Sequence, residues 1–187
     1  MQSTMFKLVN KDAFSSGQIG SKLWLCEELE DLGWTSNTTH IYGGWYSITA
    51  FLLLSRGKFM VNHIKSFDAD PECESVADMI NANWIYQGWK FKAYTQDCDN
   101  LIDPDRDLII NTSTEHFDNM NWFHNIPVGT RVILQGNNMP HDDHVVHSDS
   151  LASFSKQYPL SEYNYTGSKT FKYETWEFTR YMVIGTK

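Results

Sequence analysis

Nowhere in this chain do lysine and arginine form a run, and basic residues are outnumbered, 15 Lys and Arg against 23 Asp and Glu, for a formal charge of -8. A field of that sign repels phosphate backbones unless a local basic patch overrides it, so nucleic acid is a disfavoured partner. Cysteine is scarce as well. Cys26, Cys73 and Cys98 are odd in number, far apart and without a CxxC pair, which argues against a disulfide framework and a cysteine zinc set and points to a reducing cytoplasm. No apolar stretch, including Phe51–Leu54, approaches the roughly 20 residues of a membrane-spanning helix. The opening segment MQSTMFKLVNKDAF lacks the apolar core and small-residue cleavage site of a secretory signal. The expectation is a cytoplasmic protein with no membrane partner. Repeats, low-complexity tracts and Gly/Ser linkers are missing, as is the dinucleotide fingerprint G-x-G-x-x-G, which ranks a nicotinamide-dependent oxidoreductase last.

What is present suits a folded enzyme-sized unit. With 41% hydrophobic and 14% aromatic residues, 187 positions can build one well-buried core and little more. A single domain over 1–187 is expected, with 1–36 as an N-terminal helical extension.

Along the chain, strand and helix patterns alternate. Residues 21–32 place Leu25, Leu29 and Leu32 on one helical stripe beside Cys26, with Glu27, Glu28, Glu30 and Asp31 elsewhere and Gly33 as the stop. A short strand over 38–42 meets Gly43-Gly44, and 46–55 is apolar enough for a buried helix. The next strand, 60–67, ends in Asp68-Ala69-Asp70-Pro71, where Asp70 reads as an N-cap and Pro71 as the first residue of a helix over 72–81. A third strand spans 90–95. A fourth, 107–111, carries Leu108-Ile109-Ile110, the fully apolar pattern of a strand covered on both faces, and a fifth spans 131–135. Strands joined by helices or long crossovers imply a parallel sheet. From 163 to 187 the chain is rich in Tyr, Thr, Phe and Trp and reads as an antiparallel hairpin. The expected fold is therefore α/β, a doubly wound and mostly parallel sheet with a C-terminal antiparallel strand pair in a three-layer αβα sandwich.

In such sheets ligands bind beyond the carboxyl ends of the strands, so the residues after each strand carry the functional reading. Gly43, Gly44, Trp45 and Tyr46 follow the first, where glycine lets the backbone approach a ligand; an ordinary tight turn explains two glycines equally well. Asp68 follows the second, placed to accept from ribose hydroxyls, although capping the next helix is the plain alternative. Asp97, after the third, is either an acceptor for an adenine amino group or a solvated loop carboxylate. After the fourth come Asn111, Thr112, Glu115 and His116, two of them ionisable, more than a helix cap requires. The segment MPHDDHVVHSD holds His141, Asp142, Asp143, His144 and His147. Its spacing matches no zinc motif, so no metal is assigned; His144 or His147 is read in a substrate-binding or proton-transfer role, with neutral imidazole accepting the acceptor's proton, and a solvated polar loop is the plain alternative. Gln18 and Lys22 lie where they could fold over a ligand or simply begin a helix.

The spacing of these features resembles the class I S-adenosylmethionine-dependent methyltransferase family, from about residue 38 onward and most clearly at SFDADPECESVADMIN and DLIINTSTEH. The resemblance implies S-adenosyl-L-methionine as cofactor. Gly43 and Gly44 take the glycine loop's role toward the methionine part, Asp68 the ribose role and Asp97 the adenine role. The chain departs from the family pattern in having no acidic residue directly before Gly43 and in carrying Trp45 and Ser47 where glycines are usual. NTST also stands where the family's DNA amino-methylating enzymes have Asn or Asp, two prolines and an aromatic. The implied activity is methyl transfer to an acceptor the sequence does not identify, a small molecule on size grounds. Alternatives are cleavage or transfer of another part of the cofactor, and a non-catalytic binding module. Oligomeric state is not legible.

Overall fold

The Leu108-Ile109-Ile110 run lies at the centre of a seven-stranded sheet, and that position explains its composition: all three residues are 0% exposed, because helices cover both faces. In a computed structural model describing residues 9–187, the elements in chain order are α1 (Ser16–Asp31), β1 (Thr35–Tyr42), α2 (Ile48–Arg56), β2 (Met60–Asp68), α3 (Pro71–Ile80), α4 (Ala82–Tyr86), β3 (Phe91–Thr95), β4 (Leu108–Asn111), α5 (Asn121–His124), β5 (Arg131–Asn137), α6 (Leu151–Gln157), β6 (Glu162–Lys172) and β7 (Glu177–Thr186). The strand order is β3-β2-β1-β4-β5-β7-β6. Pairing is parallel through the first five and antiparallel for β7 against both neighbours.

Because successive strand residues point to opposite faces, the central strands feed two separate cores. Leu108, Ile110, Ile133, Met182 and Ile184 face α1, α2 and α3 with Leu25, Leu29, Leu53 and Ala77. Ile109, Val132, Leu134, Tyr181 and Val183 face Trp122, Phe123 and Phe154 on the other side. The doubly wound architecture expected from the sequence is the one observed.

Element boundaries moved where tertiary contacts outweigh local propensity. Helix α1 begins at Ser16, ahead of residue 21, with Ser15 capping the amide of Gln18, despite Gly17 and Gly20 inside it. Both glycines face the hairpin closely: a Cβ on Gly17 would lie 2.6 Å from Tyr173 Oη, and one on Gly20 2.7 Å from Phe171. Their bare backbone lets the β6–β7 aromatics Phe171, Tyr173 and Phe178 lie against the helix. Strand β1 starts at Thr35, inside the expected extension 1–36, whose residues 1–8 lie outside the described residues. Strand β5 runs to Asn137 because β7 pairs along its whole length. The Asp70 cap and Pro71 start of α3 are as read, Asp70 accepting from Glu72 N at 2.9 Å.

The strand registers align the carboxyl ends: Tyr42 lies opposite Phe67 and Asn111, Asp68 opposite Thr95, and Asn111 opposite Leu134. The loops after β1 to β5 therefore leave from one edge, and the order reverses between β1 and β4, the crevice where α/β sheets hold ligands.

Candidate functional site

A cleft of about 840 Å³ opens over that edge. One wall is the loop after β1. Gly43 adopts φ +60°, and Trp45 and Ser47 also adopt positive φ, 47° and 54°. The loop thus keeps a left-handed path at two positions where glycines would be free of strain, at roughly 1–2 kcal/mol each. Tertiary contacts hold it there. Trp45 N donates to Asp68 Oδ2 at 2.7 Å, Gly44 N to Phe67 O at 3.0 Å, and Ser47 Oγ to Ser66 Oγ at 2.6 Å. Gly44 is required by space, since a Cβ there would overlap the Ser66 hydroxyl. The Trp45 and Tyr46 rings stack at 4.9 Å along this wall.

Asp68, at the end of β2, joins two walls: besides Trp45 N, its Oδ1 accepts from Asp70 N at 3.0 Å. Each carboxylate oxygen retains acceptor capacity toward the cleft. Asp97 lines the same end and uses its oxygens to accept from Asp99 N at 2.9 Å and Asn100 Nδ2 at 3.3 Å, so the capping and cleft-facing readings coexist. Cys98 lines the cleft too, but burial pushes its thiol up to about 12, which leaves it an inert packing group.

Across the crevice stands the loop after β4. Ser113 Oγ donates to Gly43 O at 3.1 Å, tying the loops together at the point where strand order reverses. Asn111 is fully buried; its Oδ1 accepts from Ser113 N at 2.9 Å, so it shapes the turn and does not line the cleft. Thr112, Glu115 and His116 do line it. Glu115 is 3% exposed, accepts from Asn137 Nδ2 and lies 3.4 Å from Arg180 Nη1. Its carbonyl also accepts from Val145 N at 2.9 Å and Val146 N at 3.2 Å, which anchors the histidine-rich segment after β5 over this loop. His144 thereby enters the cleft, its ring 4.9 Å from that of His116, and burial lowers its pKa, favouring neutral imidazole. His147 is exposed and outside the cleft lining, 6.2 Å ring to ring from His144.

The remaining wall comes from the amino-terminal segment. Gln18 and Lys22 face the cleft, with Lys22 Nζ donating to Gln18 Oε1 at 2.5 Å. Burial, reinforced by the nearby Arg180 charge, brings the Lys22 ammonium down to about 7. Asn137 and Arg180, which hold Glu115, were not singled out in the sequence. Their only signal was a polar residue at the end of one apolar strand and a lone arginine inside another.

The strand order and reversal point define the class of fold, that of the class I S-adenosylmethionine-dependent methyltransferases, and solved structures agree. N-methyltransferase NodS from Bradyrhizobium japonicum, in complex with S-adenosyl-L-homocysteine, superposes with a TM-score of 0.69 over 98% of this chain and 97% of its own, at 10% identity. Magnesium protoporphyrin IX methyltransferase from Synechocystis with bound S-adenosylmethionine gives 0.67 over 98% and 92%, at 14% identity. A putative RNA methyltransferase from Pyrococcus horikoshii gives 0.58 over 89% and 82%, at 12% identity. No protein-family model and no curated protein matches the sequence. The likeness is therefore one of fold, spread over acceptors of different kinds.

Proposed function

We propose that this chain is an S-adenosylmethionine-dependent methyltransferase acting on a small-molecule acceptor. The observation that carries the reading is the convergence of a glycine loop and the β2 carboxylate, with Trp45 N–H bound to Asp68, in a cleft at the reversal point of this fold. Gly43, Gly44, Trp45 and Tyr46 form the wall toward the methionine end, Asp68 takes the ribose hydroxyls and Asp97 the adenine edge. Asn111 braces the turn that presents Thr112. When bound, the cofactor supplies a methyl group on a sulfonium, already activated for displacement, so the protein's task is alignment and exclusion of water. Glu115, His116 and His144 lie at the far end of the cleft and meet the acceptor there; His147, outside the lining, has no direct part.

The proposed acceptor class is supported by the negative formal charge, which disfavours nucleic acid. The protoporphyrin enzyme, named for a small acceptor, shares the fold. The chain is proposed to work as one cofactor-binding unit over 1–187, with residues 1–36 as its helical extension, in the cytoplasm. Its three cysteines are free and buried, and among the described residues no helix is long and apolar enough to cross a membrane. Calorimetric titration with S-adenosylmethionine and S-adenosylhomocysteine tests the reading. Micromolar binding, lost at least tenfold in Asp68→Ala, supports it. No binding of either ligand overturns it.

A further inference from the structure

Glu115 uses only half of its carboxylate. Oε1 accepts from Asn137 Nδ2 and faces Arg180, whereas Oε2 is buried with no hydrogen-bond partner. A buried acceptor left without a donor is destabilising, so what lies near Glu115 matters. Two imidazoles lie close to this carboxylate: one ligating atom from each of Glu115, His116 and His144 lies within 4.8 Å of the others. Both histidines turn Nδ1 to a main-chain carbonyl, His116 to Asp143 O at 3.1 Å and His144 to Met139 O at 2.8 Å. That contact holds the ring proton on Nδ1 and leaves the Nε2 lone pair free, the outer-shell arrangement that orients histidines toward a metal. Each of the three side chains is thus fixed by one atom and offers another.

We propose that Glu115, His116 and His144 form a binding site for a divalent transition-metal ion in the wall of the cleft, where the sequence reading assigned no metal. Two imidazoles and one carboxylate suit Zn²⁺, Mn²⁺, Fe²⁺ or Co²⁺ rather than Mg²⁺ or Ca²⁺, which prefer all-oxygen sets. Metal–ligand bonds of about 2.1 Å put ligand atoms roughly 3–3.5 Å apart, so the trio closes by about an ångström on the ion. The His116 side chain is exposed and can supply that movement. The positive charge of Arg180 is engaged by Glu115 Oε1 and by Thr112 O at 3.0 Å. Three protein ligands leave a coordination position open for a ligand in the cleft.

Resting on the methyl-transfer reading, that position takes a hydroxyl oxygen of the acceptor. The ion lowers the hydroxyl pKa and its proton passes to solvent. An oxygen lone pair then forms the bond to the methyl carbon as the carbon–sulfur bond breaks and its electrons remain on sulfur. The trio acts through the ion rather than by taking the proton itself.

The test is titration of EDTA-treated full-length protein with Co²⁺, followed by visible d–d absorption and calorimetry, with S-adenosylhomocysteine binding measured on the same preparations. Wild type is expected to bind one equivalent with micromolar affinity. His116→Ala, at an exposed position that leaves the core untouched, His144→Ala and Glu115→Gln each weaken it at least tenfold, and His124→Ala, outside the cleft, leaves it unchanged. Absence of d–d bands in wild type, or Co²⁺ affinity retained in both histidine variants, overturns the metal site. If S-adenosylhomocysteine still binds in that case, the methyltransferase reading stands. Specific Co²⁺ binding without cofactor binding supports the site and removes its role in methyl transfer.

Discussion

Gly44→Ala isolates one steric requirement of the glycine loop. Gly44 lies outside the positive-φ region, so alanine can adopt its backbone and only space is at issue. The added methyl would overlap Ser66 Oγ and lie 3.4 Å from both Ser66 Cβ and Ser47 Oγ. Ser66 is 3% exposed and its hydroxyl accepts from Ser47 at 2.6 Å, so relief requires either a shift of the loop or loss of that hydrogen bond. Overpacking costs about 1–3 kcal/mol and a lost hydrogen bond about 0.5–1.5 kcal/mol. A loss of about 2 kcal/mol is expected, a fall in Tm of roughly 4–8 °C for a chain of this size. Because the same shift moves the wall beside Asp68, affinity for S-adenosylhomocysteine should fall at least tenfold. Ser66→Ala removes the offending oxygen and leaves only ordinary contacts, so the double variant should regain at least about 1 kcal/mol over the sum of the single losses. Thermal unfolding followed by circular dichroism and calorimetric titration measure both quantities. Gly44→Ala with unchanged Tm and affinity, or strictly additive losses in the double variant, would refute the argument.

Lys22 gives a pH-dependent expectation. Its folded pKa, about 7, is below the ordinary 10.5, so between those values the unfolded chain holds more protons and stability rises with pH; below about 7 the full burden of a buried ammonium is present. Lys22→Met should therefore stabilise by about 1–3 kcal/mol near pH 6 in urea unfolding, with the gain shrinking toward pH 10; an equal gain at both ends would reject the buried-charge explanation. His144→Ala should leave S-adenosylhomocysteine affinity within about twofold, because His144 comes from the segment after β5, three strands along the sheet from β2, which carries Asp68, while lowering turnover at least tenfold. Unimpaired turnover would remove His144 from the reaction.

Much of the fold was legible because its signals are local. Short apolar runs located five strands and the aromatic C-terminal stretch an antiparallel hairpin, the Asp70-Pro71 pair started α3 where it begins, and the uninterrupted Leu108-Ile109-Ile110 marked a strand covered on both faces. Helix α1 was read short because Gly17 and Gly20 lower helix propensity by about 1 kcal/mol each, whereas their value lies in contacts with Phe171 and Tyr173 far along the chain. At the site, Asp68, Asp97, Glu115, His116 and His144 were picked out by type and place. Asn111 and His147 were picked out by the same rule, yet one is buried under its turn and the other lies outside the cleft.

By itself the sequence determined the alternation of elements, the strand ends from which ligand-facing loops leave and the acidic residues on them, because hydrophobic period, caps and turn residues act within a few positions. Only the tertiary structure decided that Trp45 and Ser47 would adopt the left-handed backbone their glycine-like positions demand, since the hydrogen bonds that hold them come from β2. It also decided that His144, besides its segment neighbours His141 and His147, meets Glu115 and His116. That meeting depends on Glu115 O capturing the amides of Val145 and Val146 and on Asn137 and Arg180 holding the carboxylate. Those partners come from β5, β7 and two loops, separations over which no local pattern in a single chain carries information.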